Sequence, residues 1–282
     1  MPAFVTRFAP SPTGLLHRGH ALSALTAWTA AQAAGGRFLL RIEDTDFTRC
    51  RPEYEAAIYD DLAWLGLRWE TPVRRQSEHR DAYAVALERL RDMGVLYRDF
   101  RTRKEVLAAT AGAPHADDPA DVRAFSGGPP SPDEEAERLA RGDIFAWRLS
   151  LVQARERVGD FAALTWREEG NHPGLRHATP ERLGDIILAR KDIGPGYHIA
   201  AVLDDALQGI THVTRGVDLG EVTSVHRLLQ ALLDLPTPVY RHHPLLLGPN
   251  GARLSKRDGA EALAAIRARG VSAEQLRAEL GF

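Results

Sequence analysis

The first 42 residues carry the order strand, tight turn, helix, strand, and that order commits the chain to a parallel sheet. Residues 4–8 (Phe4-Val5-Thr6-Arg7-Phe8) alternate as a strand does. Residues 9–14 form a turn in which Pro10 and Pro12 fix φ and Gly14 supplies freedom. Leu22, Leu25 and Trp28 recur at helical spacing among alanines over 19–34, and Gly35-Gly36 stops the run. Residues 37–42 make a second strand and lead into Glu43-Asp44-Thr45-Asp46. Strands joined through a helix are a βαβ unit, and such strands lie parallel.

The same signals continue downstream. Helices are predicted at 52–65, 80–93, 197–206 and 221–233, with strands at 144–149, 185–190 and 210–214. Residues 98–143 differ, carrying Gly127-Gly128-Pro129-Pro130-Ser131-Pro132, and read as a loop-rich insertion. Pro236 and Pro238 mark a boundary, and 260–282 reads as helix broken at Gly270. The resulting α/β organisation divides at 1–97, 98–143 (within a connective region to about 184), 185–238 and 239–282.

Composition narrows the setting. A hydrophobic fraction of 44% and a charged fraction of 26% suit a soluble globular chain. No apolar run approaches the roughly 20 residues of a membrane span, and the N-terminus lacks the basic and apolar parts of a signal peptide. Cys50 is the sole cysteine, which excludes an internal disulfide and any all-cysteine metal site. A cytoplasmic location is expected. The net charge of -2 gives no overall attraction to nucleic acid, so any RNA contact must come from a local patch.

Two short segments carry the chemistry. The turn at Ala9-Pro10-Ser11-Pro12-Thr13-Gly14 ends at a helix N-terminus, where backbone N–H groups and the helix dipole favour a phosphate. His17 and His20 are three apart, on one face of the first helical turn, where both imidazoles can donate to a charge developing on a pentavalent α-phosphate. A capped helix with two surface histidines is the plain alternative, and a zinc pair a further one, without an evident third ligand. The second segment is Arg253-Leu254-Ser255-Lys256-Arg257, behind Gly248-Pro249-Asn250-Gly251. Lys256 is a mobile point charge able to close on the β- and γ-phosphates of ATP, with Ser255 adding a hydrogen bond. Alternatively, Ser255 simply caps a basic helix start.

Together these segments resemble the two signature motifs of class I aminoacyl-tRNA synthetases. Residues 7–14 followed by His17-Arg18-Gly19-His20 are similar to the glutamyl branch of that family, although Arg18 stands where the family usually has an apolar residue. The likeness continues through Glu43-Asp44-Thr45-Asp46, Tyr197-His198-Ile199-Ala200 with Asp204-Asp205, and residues 209–216. It implies a Rossmann-like doubly wound parallel sheet, an inserted connective subdomain and a short helical C-terminal region contacting the tRNA stem. It also implies that His17, Gly19, His20, Ser255 and Lys256 bind ATP, and that His17, His20 and Lys256 act in catalysis. Glutamate would be held by Arg7, Ala9, Ser11, Glu43, Tyr197 and Arg215. Arg7 and Arg215 are predicted at strand ends, where ligands sit in such sheets, and a guanidinium fork suits a carboxylate.

Only 26 residues follow Lys256, where a glutamyl-tRNA synthetase carries a large anticodon-binding domain. Ala201 and Val217-Asp218-Leu219 also depart from that enzyme's pattern. The compact length is similar to the glutamyl-Q tRNA(Asp) synthetases. Their likeness implies activation of glutamate by ATP with Mg2+ and without tRNA, then transfer to the queuosine base in the anticodon of tRNA(Asp), by a monomer. A truncated enzyme charging a tRNA 3′ end and a non-catalytic tRNA-binding paralogue are the alternatives. Many such paralogues hold zinc through a Cys-x-Cys pair after a tyrosine. Here Asp99 and Arg101 follow Tyr97 in its place, so no zinc is expected.

Overall fold

The computed structural model describes residues 3–102, 105–106, 125, 127–170, 172–192, 194–247 and 261–282. Ser255 and Lys256 lie outside the described residues. Strand β1 (Val5–Phe8) is buried along its whole length, as an interior parallel strand must be. It pairs in parallel with β2 (Arg37–Ile42), Val5 opposite Arg37 and Phe8 opposite Leu40. Between them runs α1 (Arg18–Ala33), which buries Ala21, Ala24, Leu25, Ala27 and Ala31. A face of alanines lets the helix axis approach the sheet closely.

After β2 come α2 (Pro52–Trp64), opened by a proline at its first turn, the short β3 (Arg74–Arg75), parallel to β2, and α3 (Arg80–Asp92). Next are β4 (Leu96–Asp99), α4 (Pro132–Ala140), β5 (Ala146–Leu149) and α5 (Leu151–Val158). Then β6 (Thr165–Glu168), β7 (Gly174–His177), β8 (Ile187–Arg190), β9 (Gly194–Pro195) and α6 (Tyr197–Leu207) follow. The chain continues through β10 (His212–Gly216), α7 (Val222–Leu232), β11 (Val239–His243), α8 (Leu263–Ala268) and α9 (Ala273–Glu279).

These strands form three pairing groups, β1-β2-β3, β10-β11-β6-β7 and β4-β5-β8-β9. The first is parallel throughout, the second parallel except for β7, and the third antiparallel. The first two meet where Thr211 N–H donates to the Val5 carbonyl (2.9 Å) and Val5 N–H donates to Thr211 Oγ1 (2.8 Å). β1 therefore runs between β2 on one side and β10 on the other. This is the switch point at which an open α/β sheet leaves a crevice beyond its strand ends. Sheet membership does not follow chain order, since β6 joins the parallel group and β8 the antiparallel one.

Two buried cores flank this seam. One gathers Leu25, Leu40, Ile58 and Leu62 with Leu263, Ile266 and Leu276, so the C-terminal helices pack on the first half of the chain. The other gathers Leu90, Leu149, Phe161, Leu188, Val213 and Leu228. None of the helices among the described residues is long and apolar enough to cross a membrane.

Candidate active site

The loop after β1 is fixed from both sides. Glu43 N–H donates to the Pro10 carbonyl and Arg51 N–H to the Pro12 carbonyl, each at 3.0 Å. The loop delivers the chain to the N-terminus of α1, where His17 is the cap. Gly19 N–H donates to His17 Nδ1, and His17 N–H donates to His20 Nδ1, both at 3.1 Å. Each imidazole thus caps the helix through Nδ1, which places its proton on Nε2. The rings lie 3.9 Å apart between centroids. A Cβ on Gly19 would meet the His17 ring at 3.0 Å, so this position keeps the imidazole seated. The two histidines do cap the helix, and they also line a cavity.

That cavity, about 320 Å³, opens at the ends of β1 and β10. Arg7, Ala9, Ser11, His17, Gly19, His20, Glu43, Tyr197 and Arg215 all line it, so every predicted site residue within the described part of the chain converges there. Ser23, Asp218 and His243 line it as well.

Its two arginines differ in electrical state. Arg7 Nε and Nη2 donate to the two Asp205 carboxylate oxygens, at 2.9 and 3.3 Å. Arg41, fully buried, donates to Asp205 (2.8 Å) and Glu43 (3.0 Å). Burial alone would raise the Asp205 carboxyl, but Arg7 and Arg41 outweigh it and hold it down at about 2. Burial raises the Glu43 carboxyl against the opposing pull of Arg41 and Arg7. Arg215 touches no carboxylate among the described residues: it donates to His242 Nε2 (3.2 Å), His226 Nδ1 (3.3 Å) and Thr223 Oγ1 (2.7 Å). Arg215 is 5% exposed, so its charge is buried and, among the described residues, has no carboxylate to match it. An anion entering the cavity supplies what it lacks.

Tyr197 lies beside this charge, its ring 5.5 Å from that of His226, and burial raises its hydroxyl pKa. Sequence reasoning gave no role to Arg41, Thr223, His226 or His242, and placed Asp205 only within the stretch that resembles the second half of the glutamate site. The available signal was the recurrence of histidines at 198, 212, 226, 242 and 243.

The sequence and architecture match known proteins. The family model described as tRNA synthetases class I (E and Q), catalytic domain, matches residues 3–159 and 166–281. The chain belongs to this class I tRNA synthetase family. It is 44% identical to the glutamyl-Q tRNA(Asp) synthetase of Rhodobacter capsulatus, over 99% of this chain and 100% of that one. It is 40% identical to the protein of the same name from Symbiobacterium thermophilum, over 98% of this chain and 85% of that one. Among solved structures it is similar to the glutamate-tRNA synthetase of Elizabethkingia anophelis, with a TM-score of 0.73 and 30% identity. The match covers 91% of this chain and 53% of that one, so the chain spans about half of that larger synthetase. As a member of this family the protein is a ligase with the class I catalytic fold.

Proposed function

We propose that this synthetase activates glutamate with ATP, without needing tRNA, and transfers it to the queuosine base in the anticodon of tRNA(Asp). The observation that carries the reading is the buried Arg215, which touches no carboxylate among the described residues, set in one cavity with the His17–His20 pair. A guanidinium in that state selects a ligand carrying a carboxylate. The Glu43 carboxylate, which also lines the cavity, suits an ammonium. An acidic amino acid satisfies both.

In the first step the α-carboxylate attacks the α-phosphate of ATP, supplied with Mg2+ as substrate, and pyrophosphate leaves. His17 and His20 donate from Nε2 to the charge gathering on the α-phosphate, and Ser255 and Lys256 are assigned to the phosphates that depart. Catalysis at this stage is positioning plus charge stabilisation by donors already in place. In the second step a hydroxyl of the modified base attacks the acyl carbon, and AMP leaves. We assign glutamate to Arg7, Ala9, Ser11, Glu43, Tyr197 and Arg215, with Arg7 acting as part of the Asp205 ion-pair cluster.

ATP–pyrophosphate exchange with purified protein, glutamate and Mg2+ but no tRNA tests the first step. Robust exchange that glutamine and aspartate do not support is the expected result. Exchange that appears only on adding tRNA would replace this reading with a truncated synthetase charging 3′ ends. Transfer of labelled glutamate to tRNA(Asp) with queuosine, and not to the same tRNA without it, tests the second step.

A further inference from the structure

The partners of Arg215 set the chemistry of the pocket. A guanidinium can only donate hydrogen bonds, so each imidazole nitrogen facing it must be an acceptor. His242 presents Nε2 to Arg215, which places its proton on Nδ1, 2.6 Å from Glu168 Oε2. Glu168 fixes that ring a second time by accepting the His242 backbone N–H at 2.9 Å. His226 presents Nδ1, and its Nε2–H faces His198 Nδ1 at 3.4 Å. Thr223 Oγ1 accepts from Arg215 Nη2 and lies 3.2 Å from His242 Nε2. The Tyr240 ring closes the cradle, 5.3 Å from the guanidinium carbon.

We propose that Thr223, His226 and His242 are positioning residues that hold Arg215 through neutral contacts, so that the pocket demands a carboxylate on its substrate. This rests on the assignment of Arg215 to glutamate.

A carboxylate in the place of either imidazole would pair with Arg215 as Asp205 pairs with Arg7, and the pocket would then accept a neutral amide. With neutral partners, a glutamine side chain leaves a buried charge uncompensated. Burial and the charge of Arg215 keep the His226 imidazole well below its usual pKa, which preserves it as an acceptor. The backbone makes room for the arrangement. A Cβ on Gly170 would stand 2.3 Å from the His242 carbonyl oxygen and 2.9 Å from Glu168 Oε1.

The test is glutamate-dependent ATP–pyrophosphate exchange by the full chain and by Thr223→Val, His226→Leu and His226→Gln. Thr223→Val is nearly isosteric and removes one acceptor; His226→Gln restores an acceptor that His226→Leu lacks. Each acceptor loss is expected to raise KM for glutamate roughly 10- to 100-fold, the worth of one hydrogen bond to a charged group. KM for ATP should stay within about twofold, and the preference for glutamate over glutamine should narrow, because the acceptors touch only the amino-acid side of the site. His226→Gln should recover most of the loss. If His226→Leu does not fold, Thr223→Val decides alone. An unchanged glutamate KM, or equal rises for glutamate and ATP, would overturn the proposal while leaving the function intact. A wild-type protein that gives no glutamate-dependent exchange, with or without tRNA, would overturn the functional reading and this proposal with it.

Discussion

Arg7 of β1 and Asp205 of α6, 198 residues apart in the chain, meet as a two-point ion pair. Asp205 also accepts from Arg41 at 2.8 Å, so one carboxylate neutralises parts of two buried guanidinium groups. Replacing Asp205 by Asn would leave both without that charge. The expected cost is about 3–5 kcal/mol, the range for breaking a buried pair from one side. Urea denaturation of Asp205→Asn and wild type measures it. A loss below about 1 kcal/mol would mean that Arg7 and Arg41 find other compensation.

His20 has two jobs that separate experimentally. Its Nδ1 accepts the His17 N–H, and its ring lines the cavity. His20→Ala should cost about 1 kcal/mol of stability, as for a lost helix cap. It should slow ATP–pyrophosphate exchange by on the order of two to three decades, as for a lost transition-state donor. His20→Asn keeps a capping side chain, so it should recover the stability without the rate. Near-normal exchange in both variants would remove His20 from the chemistry.

Local patterns made the elements around the site legible, and long-range pairing stayed hidden. The helix expected at 19–34 is Arg18–Ala33, and the strand expected at 37–42 is Arg37–Ile42, because alanine spacing and the Gly35-Gly36 stop are short-range signals. The loop-rich reading of 98–143 passed over α4, whose Ser131 cap and Pro132 start were hidden by the adjoining Gly and Pro residues. β11 was missed although it supplies His242. Pro236 and Pro238 marked a boundary, and nothing local says that Val239–His243 pairs with β10. The arginines Arg7 and Arg215 were visible as strand-end residues. Their different electrical states were not, because Asp205 and His242 reach them through the fold.

Arg18, the departure within the histidine motif, pairs with Glu279 of α9. The pair is partly solvent-exposed, Arg18 at 29% and Glu279 at 50% of their side chains, and exposed pairs contribute little. A buried backbone bond, Leu263 N–H donating to the Leu16 carbonyl at 2.8 Å, separately ties α8 to the entrance of α1. Arg18→Ala should therefore change stability by no more than about 0.5 kcal/mol and leave exchange within about twofold. A tenfold rate loss would show that Arg18 reaches a phosphate.

Acid should weaken the protein in two stages. Burial, with the Arg215 charge, lowers the His198 imidazole from 6.5 to about 4. Between those values the unfolded chain binds a proton that the folded chain refuses, so this contribution is complete above pH 6.5 and is lost as pH falls toward 4. Asp205, lowered from 3.8 to about 2, holds its contribution above pH 3.8 and loses it as pH falls toward 2. Melting temperature measured from pH 7 to 4 should fall less steeply for His198→Phe than for wild type. Parallel slopes would exclude His198 as a source of the acid sensitivity.

Asp99 and Arg101, which stand where the family resemblance would place a Cys-x-Cys pair, are joined as an ion pair. Arg101 Nε donates to Asp99 Oδ1 at 2.6 Å, and Arg148 Nε donates to Oδ2 at 2.7 Å. Both guanidinium carbons lie over the Phe125 ring, at 4.6 and 4.8 Å. Arg148 continues to the Asp185 carbonyl (2.6 Å), and Tyr97 donates its hydroxyl proton to the Asp185 carboxylate (2.9 Å). The network thus ties β4 and β5 to the segment leading into β8, a task a metal could perform from the same place. Asp99 is 2% exposed, so Asp99→Ala should cost about 3–5 kcal/mol by stranding Arg148, which is itself buried. EDTA should leave the melting temperature within about 1 °C, since only a metal bound to the folded state would raise it. A clear drop on chelation, reversed by zinc, would show that a metal and not this ion pair holds the antiparallel sheet together.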